Sequence, residues 1–374
     1  MSKTTIPPKV KTQLWTLSGG RCEYRGCNKA LWRDDLTMAN MNKAYLAHIV
    51  ADSEGGPRGD KNRSPLLAKD FNNIMFLCDE HHRLIDKEDV IGHPESLLIE
   101  MKQEHEKRIE LLTSLMEENK TNIVFYGANI GQQDAPLNYN NVVQAVLPNR
   151  YPSDSYGIQL GLHNSNFYDS EDLYWDLENV NLCRQFKDKI KYLGSKDIVK
   201  HFSVFALAPM PLLIRLGTLF SSIQDVDVFQ LHKEPSSWKW QDGSKEETFK
   251  LIEPTSYDGI PVLNISLSGT ITDDRIKKVL TEKTSIWTLT IDNPNNDYLT
   301  SKQMLSDYRI ICRSLFDKIK QVHGQDSKLH IFPAMGISSA IELGRIWTEK
   351  ADVSMVVYDQ NKERNGFIKT IEII

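Results

Sequence analysis

Two short pairs of soft ligands, Cys22-x4-Cys27 and Cys78-x2-His81, constrain the fold of this chain more than any other feature. Four such side chains are the number that a tetrahedral structural zinc takes. In a small domain the free energy of binding that ion is folding free energy. Of the five cysteines, the other two, Cys183 and Cys312, stand alone in apolar surroundings and read as inert core residues. An odd count argues against a disulfide framework. The N-terminal third is therefore expected to be a small domain stapled by Zn2+ on Cys22, Cys27, Cys78 and His81.

That assignment leaves three chemically able residues unused. His48 lies in LAHIVADSEGG, and Asn73 and His82 lie in NNIMFLCDEHHRLID. Hydrolysis of a phosphodiester needs a base that deprotonates water and a cation that stabilises charge on the phosphate and the leaving oxygen. A neutral histidine suits the first task near pH 7. The formal net charge of -5 does not advertise a nucleic-acid binder. Charge is uneven, though: residues 1–33 hold Lys3, Lys9, Lys11, Arg21, Arg25, Lys29 and Arg33 against Glu23 alone, and a second basic group follows at Arg58, Lys61, Arg63 and Lys69. Such a group is either a solvated face or the border of an anion-binding site.

In this order the residues resemble the HNH endonuclease family, over roughly residues 15–110. The resemblance rests on His-Ile-Val followed by Gly-Gly, on an Asn before the apolar run into Cys78, and on a histidine directly after the second zinc pair. It implies a ββα-metal domain in which His48 is the general base. Asn73 would position the catalytic loop or touch the metal, and His82 would bind the catalytic ion, Mg2+. The chain departs from the family at Ala47, where many members carry a metal-binding His or Asp. The shell then rests on His82 and Asn73 with extra waters, or recruits a carboxylate such as Asp52; magnesium keeps several waters in either case.

Residues 94–119 have helical apolar spacing without internal Gly or Pro and read as one helix closing an N-terminal domain, 1–120. The Asn-, Gln-, Gly- and Pro-rich stretch that follows reads as a linker, 121–150. From 151 strand-like and helical runs alternate, as in an α/β domain, 151–374. This domain contains a repeat: at an offset of 127, Phe205–Phe229 overlays Phe332–Val356, with Ile214 on Ile341, Leu216-Gly217 on Leu343-Gly344 and Phe220 on Trp347. Gln159–Asn164 overlays Thr288–Asn293 at an offset of 129. Two Rossmann-like halves, about 151–255 and 256–374, are expected. Trp347, at helical spacing from Leu343, belongs to the core.

The helix-entry loops Leu207–Leu213 and Pro333–Glu342 are candidate anion sites, because helix N-termini hold phosphates. Pro209, Met210, Gly336, Ser338 and Ser339 would line them. The competing readings are that Pro211 simply opens a helix and that Ser339 with Glu342 is a capping box. Trp238 and Trp240 flank Lys239 in a polar loop and offer a base-stacking surface.

By its order, its repeat and the segments FALAPMP and GISSAIELGRIW, this region resembles the SAVED domain, a fusion of two CARF-like halves that senses cyclic oligonucleotides in bacterial antiphage systems. An HNH domain fused to SAVED resembles the effector nucleases of CBASS systems. The resemblance implies a cytoplasmic bacterial enzyme that degrades double-stranded DNA with little sequence preference. A cyclic di- or trinucleotide would activate it by driving assembly into a homo-oligomer, a tetramer. No apolar run approaches the roughly 18 residues of a membrane span. Two alternatives stand beside this reading: a restriction-type HNH enzyme whose C-terminal domain reads modified DNA, and a zinc module that binds DNA without cutting it.

Overall fold

The computed structural model describes residues 4–130, 137–162, 167–191, 199–220, 224–241 and 247–374. Lys3, His163 and Asn164, and residues 221–223 of the overlaid repeat, lie outside them. The chain divides into two units, 1–115 and 116–374.

The first unit is built on α1 (Pro8–Leu17), β1 (Tyr45–His48), α2 (Arg63–Leu67), β2 (Ile74–Leu77), α3 (Asp79–Arg83) and α4 (Glu95–Thr113). Strands β1 and β2 pair antiparallel, with His48 opposite Ile74 and Tyr45 opposite Leu77. Every residue of β2 is buried, and Trp15 of α1 meets Phe76 edge-on at 4.5 Å. Glu23, also buried, accepts from the Phe76 amide at 2.6 Å and is pushed up to about 8 by burial. The apolar core is small, running from Leu14 and Leu31 through the hairpin to Ile85, Leu98 and Met101, and it includes Cys22 and Cys78. A core of this size gains from a metal staple.

The second unit starts earlier than composition suggests. β3 (Lys120–Gly127) lies inside the expected linker, followed by α5 (Tyr139–Val146), β4 (Tyr151–Pro152), β5 (Ile158–Leu160), α6 (Asp172–Phe186), β6 (Phe202–Leu207), α7 (Met210–Leu219), β7 (Val226–Val228), β8 (His232–Lys233) and β9 (Ser236–Ser237). Far from being linker, β3 is the inner strand of a parallel sheet in which β5 and β4 lie on one side of it and β6, then β7, on the other. The first half therefore begins near residue 120, not 151.

The second half comprises β10 (Lys250–Ile252), β11 (Ile260–Ser266), α8 (Asp273–Lys277), β12 (Thr284–Thr290), α9 (Lys302–His323), β13 (Lys328–Ala334), α10 (Ile337–Ile346), β14 (Ser354–Asn361) and β15 (Gly366–Ile373). Its sheet runs β10-β12-β11-β13-β14-β15, with the four inner strands parallel. The duplication is visible in register. Val124 of β3 pairs with Ile158 and Val204, while Leu263 of β11 pairs with Trp287 and Ile331. Ile158 to Trp287 is the offset of 129, and Val204 to Ile331 the offset of 127.

Helices α7 and α10 are related by the same offset and cross at their glycines. A Cβ on Gly217 would lie 2.0 Å from the Ile341 carbonyl oxygen, and one on Gly344 would lie 2.0 Å from that of Ile214. The offset of 127 exchanges these two contacts, so the crossing is symmetric, each glycine accommodating backbone of the other helix. Around it lies one core shared by the two sheets, containing Val204, Leu213, Ile331, Ile341 and Trp347. The outer faces have cores of their own, Phe125, Phe205 and Phe229 on the first sheet and Val262, Phe332 and Tyr358 on the second.

Candidate functional site

In the first unit the turn after α1 brings Cys22 and Cys27 toward the start of α3, where Cys78 and His81 sit. The ligand atoms of all four lie within 4.8 Å of one another, with His81 Nδ1 3.1 Å from Cys78 Sγ and 3.8 Å from Cys22 Sγ. Tetrahedral zinc with bonds of about 2.0–2.3 Å sets ligand separations on this scale. Burial pushes the Cys22 and Cys78 thiols up and holds the His81 imidazole down, in its neutral state. Bare thiolates are costly there, whereas a bound dication reverses that preference. Among the described residues no second group of three or more His, Cys, Asp or Glu side chains accompanies this one. Outside the cluster, Cys312 is buried, but half-buried Cys183 receives Arg215 Nη2 at 3.3 Å and is not in apolar surroundings alone.

His48 ends β1 and is buried. Its Nε2 lies 2.9 Å from the Ala68 carbonyl oxygen, so this nitrogen carries the proton and Nδ1 keeps a lone pair. Ala47, the position without a ligand, is buried opposite Met75. Asn73 is buried and engaged by the neighbouring backbone. Its Oδ1 accepts from the Val50 amide at 2.8 Å, and its Nδ2 donates to the carbonyls of Val50 and Leu67 at 2.8 and 3.2 Å. The buried amide is spent on clamping the loop that follows His48. Asp52 accepts from the Thr4 amide at 3.2 Å.

His82 is half-buried in α3, its ring stacked on Tyr45 at 4.7 Å and its Nε2 3.2 Å from Asp86 Oδ2. Asp86 was not singled out from sequence. Burial raises its carboxyl, but hydrogen bonds from His82 and Arg58 outweigh burial and hold it below its ordinary value. Arg58 in turn is no solvated surface cation; its side chain is 8% exposed and bound to Asp86. Arg63 pairs with Glu95, Arg25 with Glu100 and Glu104, and Lys29 with Glu80, so much of the basic character is neutralised locally.

In the second unit the loop that enters α10 is closed rather than open. Ser338 is fully buried, and both its amide and its hydroxyl donate to Gln230 Oε1, at 3.1 and 3.0 Å. The Ser339 hydroxyl lies 2.7 Å from the Tyr298 hydroxyl, which also accepts from the Gly336 amide at 3.2 Å. The Gly336 and Ser338 amides and both serine hydroxyls at the start of α10 are thus engaged from within. Ser339 is no capping residue either: α10 is capped at Gly336, and Glu342 faces Arg345 and Arg309. Pro209 is buried as the cap of α7. Pro211 stands in its first turn, the helix-opening reading. Trp238 is core, meeting Phe205 edge-on at 5.3 Å. Of the seven expected ligand residues, Met210 and Lys239 retain accessible surface. Lys239 borders a cleft of about 390 Å³ with Pro148, Asn149, Phe229, Trp240 and Lys302.

One buried group escaped the sequence. Glu178 of α6 is fully buried. Among the described residues neither carboxylate oxygen has a hydrogen-bond partner, nor do the Tyr126 hydroxyl and Trp175 Nε1. Burial pushes Glu178 up to about 7.

The second unit is thus a duplicated, mostly parallel α/β domain. Residues 182–373 match the SAVED family, the SMODS-associated and fused to various effectors sensor domain, and the chain belongs to that family. Among solved structures it is similar to the Acinetobacter baumannii Cap4 SAVED/CARF-domain containing receptor with the cyclic trinucleotide 2'3'3'-cAAA, at 14% identity and a TM-score of 0.46 over 78% of this chain and 65% of that one. It is also similar to the same receptor with 3'3'3'-cAAA, at 15% identity and 0.44 over 78% and 66%, and to the Moraxella osloensis Cap4 receptor, at 12% and 0.41 over 75% and 60%. The chain thus spans less than two thirds of these receptors' length. No curated protein matches. No helix among the described residues is long and apolar enough to cross a membrane.

Proposed function

We propose that the protein is a DNA endonuclease of the HNH type whose SAVED unit switches it on when a cyclic oligonucleotide binds, as an effector in antiphage defence. The orientation of His48 carries the nuclease reading. With Nε2–H given to Ala68, Nδ1 is the nitrogen that takes a proton from water as the water oxygen bonds to phosphorus and the P–O bond to the leaving sugar oxygen breaks. Asn73 holds the loop on which that geometry depends. Zinc on Cys22, Cys27, Cys78 and His81 would fix the hairpin against α3. His82 Nδ1 would hold a divalent ion together with waters; such an ion, when bound, neutralises charge on the phosphate and the leaving oxygen.

The sensor half of the reading follows from family membership. A cyclic di- or trinucleotide is the expected activator, in keeping with the ligands named for the Cap4 receptors. Assembly of several copies, a tetramer, would pair nuclease units for cutting both strands. The test is supercoiled plasmid incubated with the protein and Mg2+, with and without a panel of cyclic di- and trinucleotides. Cleavage in one or a few nucleotide lanes alone is expected. Equal cleavage in all lanes, nucleotide-free included, would assign the protein to restriction-type enzymes that need no messenger.

A further inference from the structure

The two ring nitrogens of His82 have different surroundings. Nε2 faces Asp86 Oδ2 at 3.2 Å, whereas Nδ1 has no hydrogen-bond partner among the described residues. Asp86, one turn on within the π-helical segment Leu84–Glu88, is itself held: its Oδ1 accepts from Arg58 Nη2 at 2.8 Å. Arg58 donates from all three nitrogens of its fork. Nε donates to the Ile49 carbonyl at 2.6 Å, and Nη1 donates to that of Ile85 at 2.7 Å. Its backbone sits at φ 55, a conformation that non-glycine residues adopt rarely and keep only where surroundings over-determine it. Tyr45, stacked on the His82 ring, limits its rotation. A buried arginine bound through all three of its nitrogens, and a strained backbone, are more than a surface i,i+4 pair requires.

We infer that Asp86 and Arg58 are positioning residues for the metal-binding histidine. Asp86 accepts Nε2–H of His82 and so fixes the tautomer that leaves the Nδ1 lone pair for a metal. Arg58 ties that carboxylate to Ile49, the residue after His48, so the two imidazoles keep one mutual geometry. The inference rests on the nuclease reading: with Ala47 unable to ligate and Asn73 engaged in the loop, the affinity of the centre depends on how well His82 is presented. Carboxylate partners of metal-binding histidines act in this way, and their loss costs 10–100-fold in metal affinity or activity.

The test is Mn2+ titration of the zinc-loaded full chain, followed by electron paramagnetic resonance of the free ion, for the wild type, Asp86→Ala, Asp86→Asn and His82→Ala. ¹⁵N spectra of histidine-labelled protein report the His82 tautomer, and zinc content with thermal melting reports the fold. Asp86→Ala should weaken Mn2+ binding by about 10–100-fold with zinc content unchanged, and the His82 ring should change from a single Nε2–H form to a mixture. Asp86→Asn, which keeps an acceptor, should stay within roughly threefold of wild type. Wild-type affinity in Asp86→Ala, with binding lost in His82→Ala, would overturn the inference and leave the nuclease reading intact. Equal losses in Asp86→Asn and Asp86→Ala would make Asp86 a ligand and overturn its positioning role. No His82-dependent Mn2+ site in the wild type would remove the nuclease reading and the inference with it.

Discussion

Substitution of Gly344 by alanine should destabilise the second unit by about 1–3 kcal/mol, because the helix crossing leaves no room for a side chain. The added Cβ would lie 2.0 Å from the Ile214 carbonyl oxygen; ordinary contact begins near 3.4 Å, so α7 and α10 must separate by about 1.4 Å. Overpacking of a buried interface costs roughly 1–3 kcal/mol, occasionally more. Against it stands the gain of about 0.5–1 kcal/mol from replacing a helical glycine, so a shift of this size in backbone-to-backbone packing keeps the net sign unfavourable. Gly217→Ala meets the Ile341 carbonyl at the same 2.0 Å and should cost a similar amount. The double variant should cost less than the sum, since one separation relieves both clashes. Gly269→Ala, with nothing within 4 Å of its Cβ, is the control and should be neutral. Calorimetry of the full chain, read on the transition that zinc chelation leaves unmoved, measures all four. Wild-type stability in both single variants, or strict additivity in the double, would refute the symmetric crossing and with it the physical basis assigned to the repeat.

Three further outcomes are expected. Cys78→Ser should lose zinc and melt the first unit, since structural sites are worth roughly 10 kcal/mol or more in small domains; elemental analysis and a melting curve check it, and a folded wild type without zinc would contradict it. His48→Ala should lower plasmid cleavage by about 10²–10⁴-fold while leaving zinc content and melting temperature unchanged; near wild-type cutting would mean that another group is the base. Glu178 titrates near 7 when folded and 4.5 as its ordinary value, so between those pH values the folded state binds the extra proton and stability falls as pH rises. The difference corresponds to roughly 3 kcal/mol. Glu178→Gln should remove that slope and gain most at pH 8; an unchanged pH profile of unfolding would show the carboxyl to be solvated.

The clustering of Cys22, Cys27, Cys78 and His81 was legible because metal-capable residue types stand in pairs at short spacings. The parallel strands were legible as well, since strands buried on both faces read as apolar runs. β3 was not, because its short IVFY run lies between Asn-, Gln- and Pro-rich flanks, and because the insertion carrying α5 between β3 and β5 breaks the constant offset to β11. The repeat therefore surfaced only from β5 onward. Side chains at helix entries were misjudged for a different reason. The group that satisfies Ser338 is Gln230, 108 residues away, and Trp238 is enclosed by a sheet face containing Phe205; whether a hydroxyl or an indole meets ligand or core depends on such distant partners. Asp86 and Arg58, 28 residues apart, likewise look like ordinary charges until the loop after β1 folds back on α3.

Full reversal of a two-state switch, from about 1% to 99% active, requires roughly 10⁴-fold preference of the ligand for the active state. Several ligands bound in one assembly supply that preference more readily than one. The most direct measurement is therefore a titration of the activating cyclic nucleotide in which light scattering and plasmid cleavage are read on the same samples. A silent low-mass species is expected without nucleotide, and with it a rise in mass toward a tetramer that coincides with a rise in cleavage of at least about 10²-fold. Full cleavage by the nucleotide-free, low-mass species, or nucleotide binding that raises the mass without any cleavage, would contradict it.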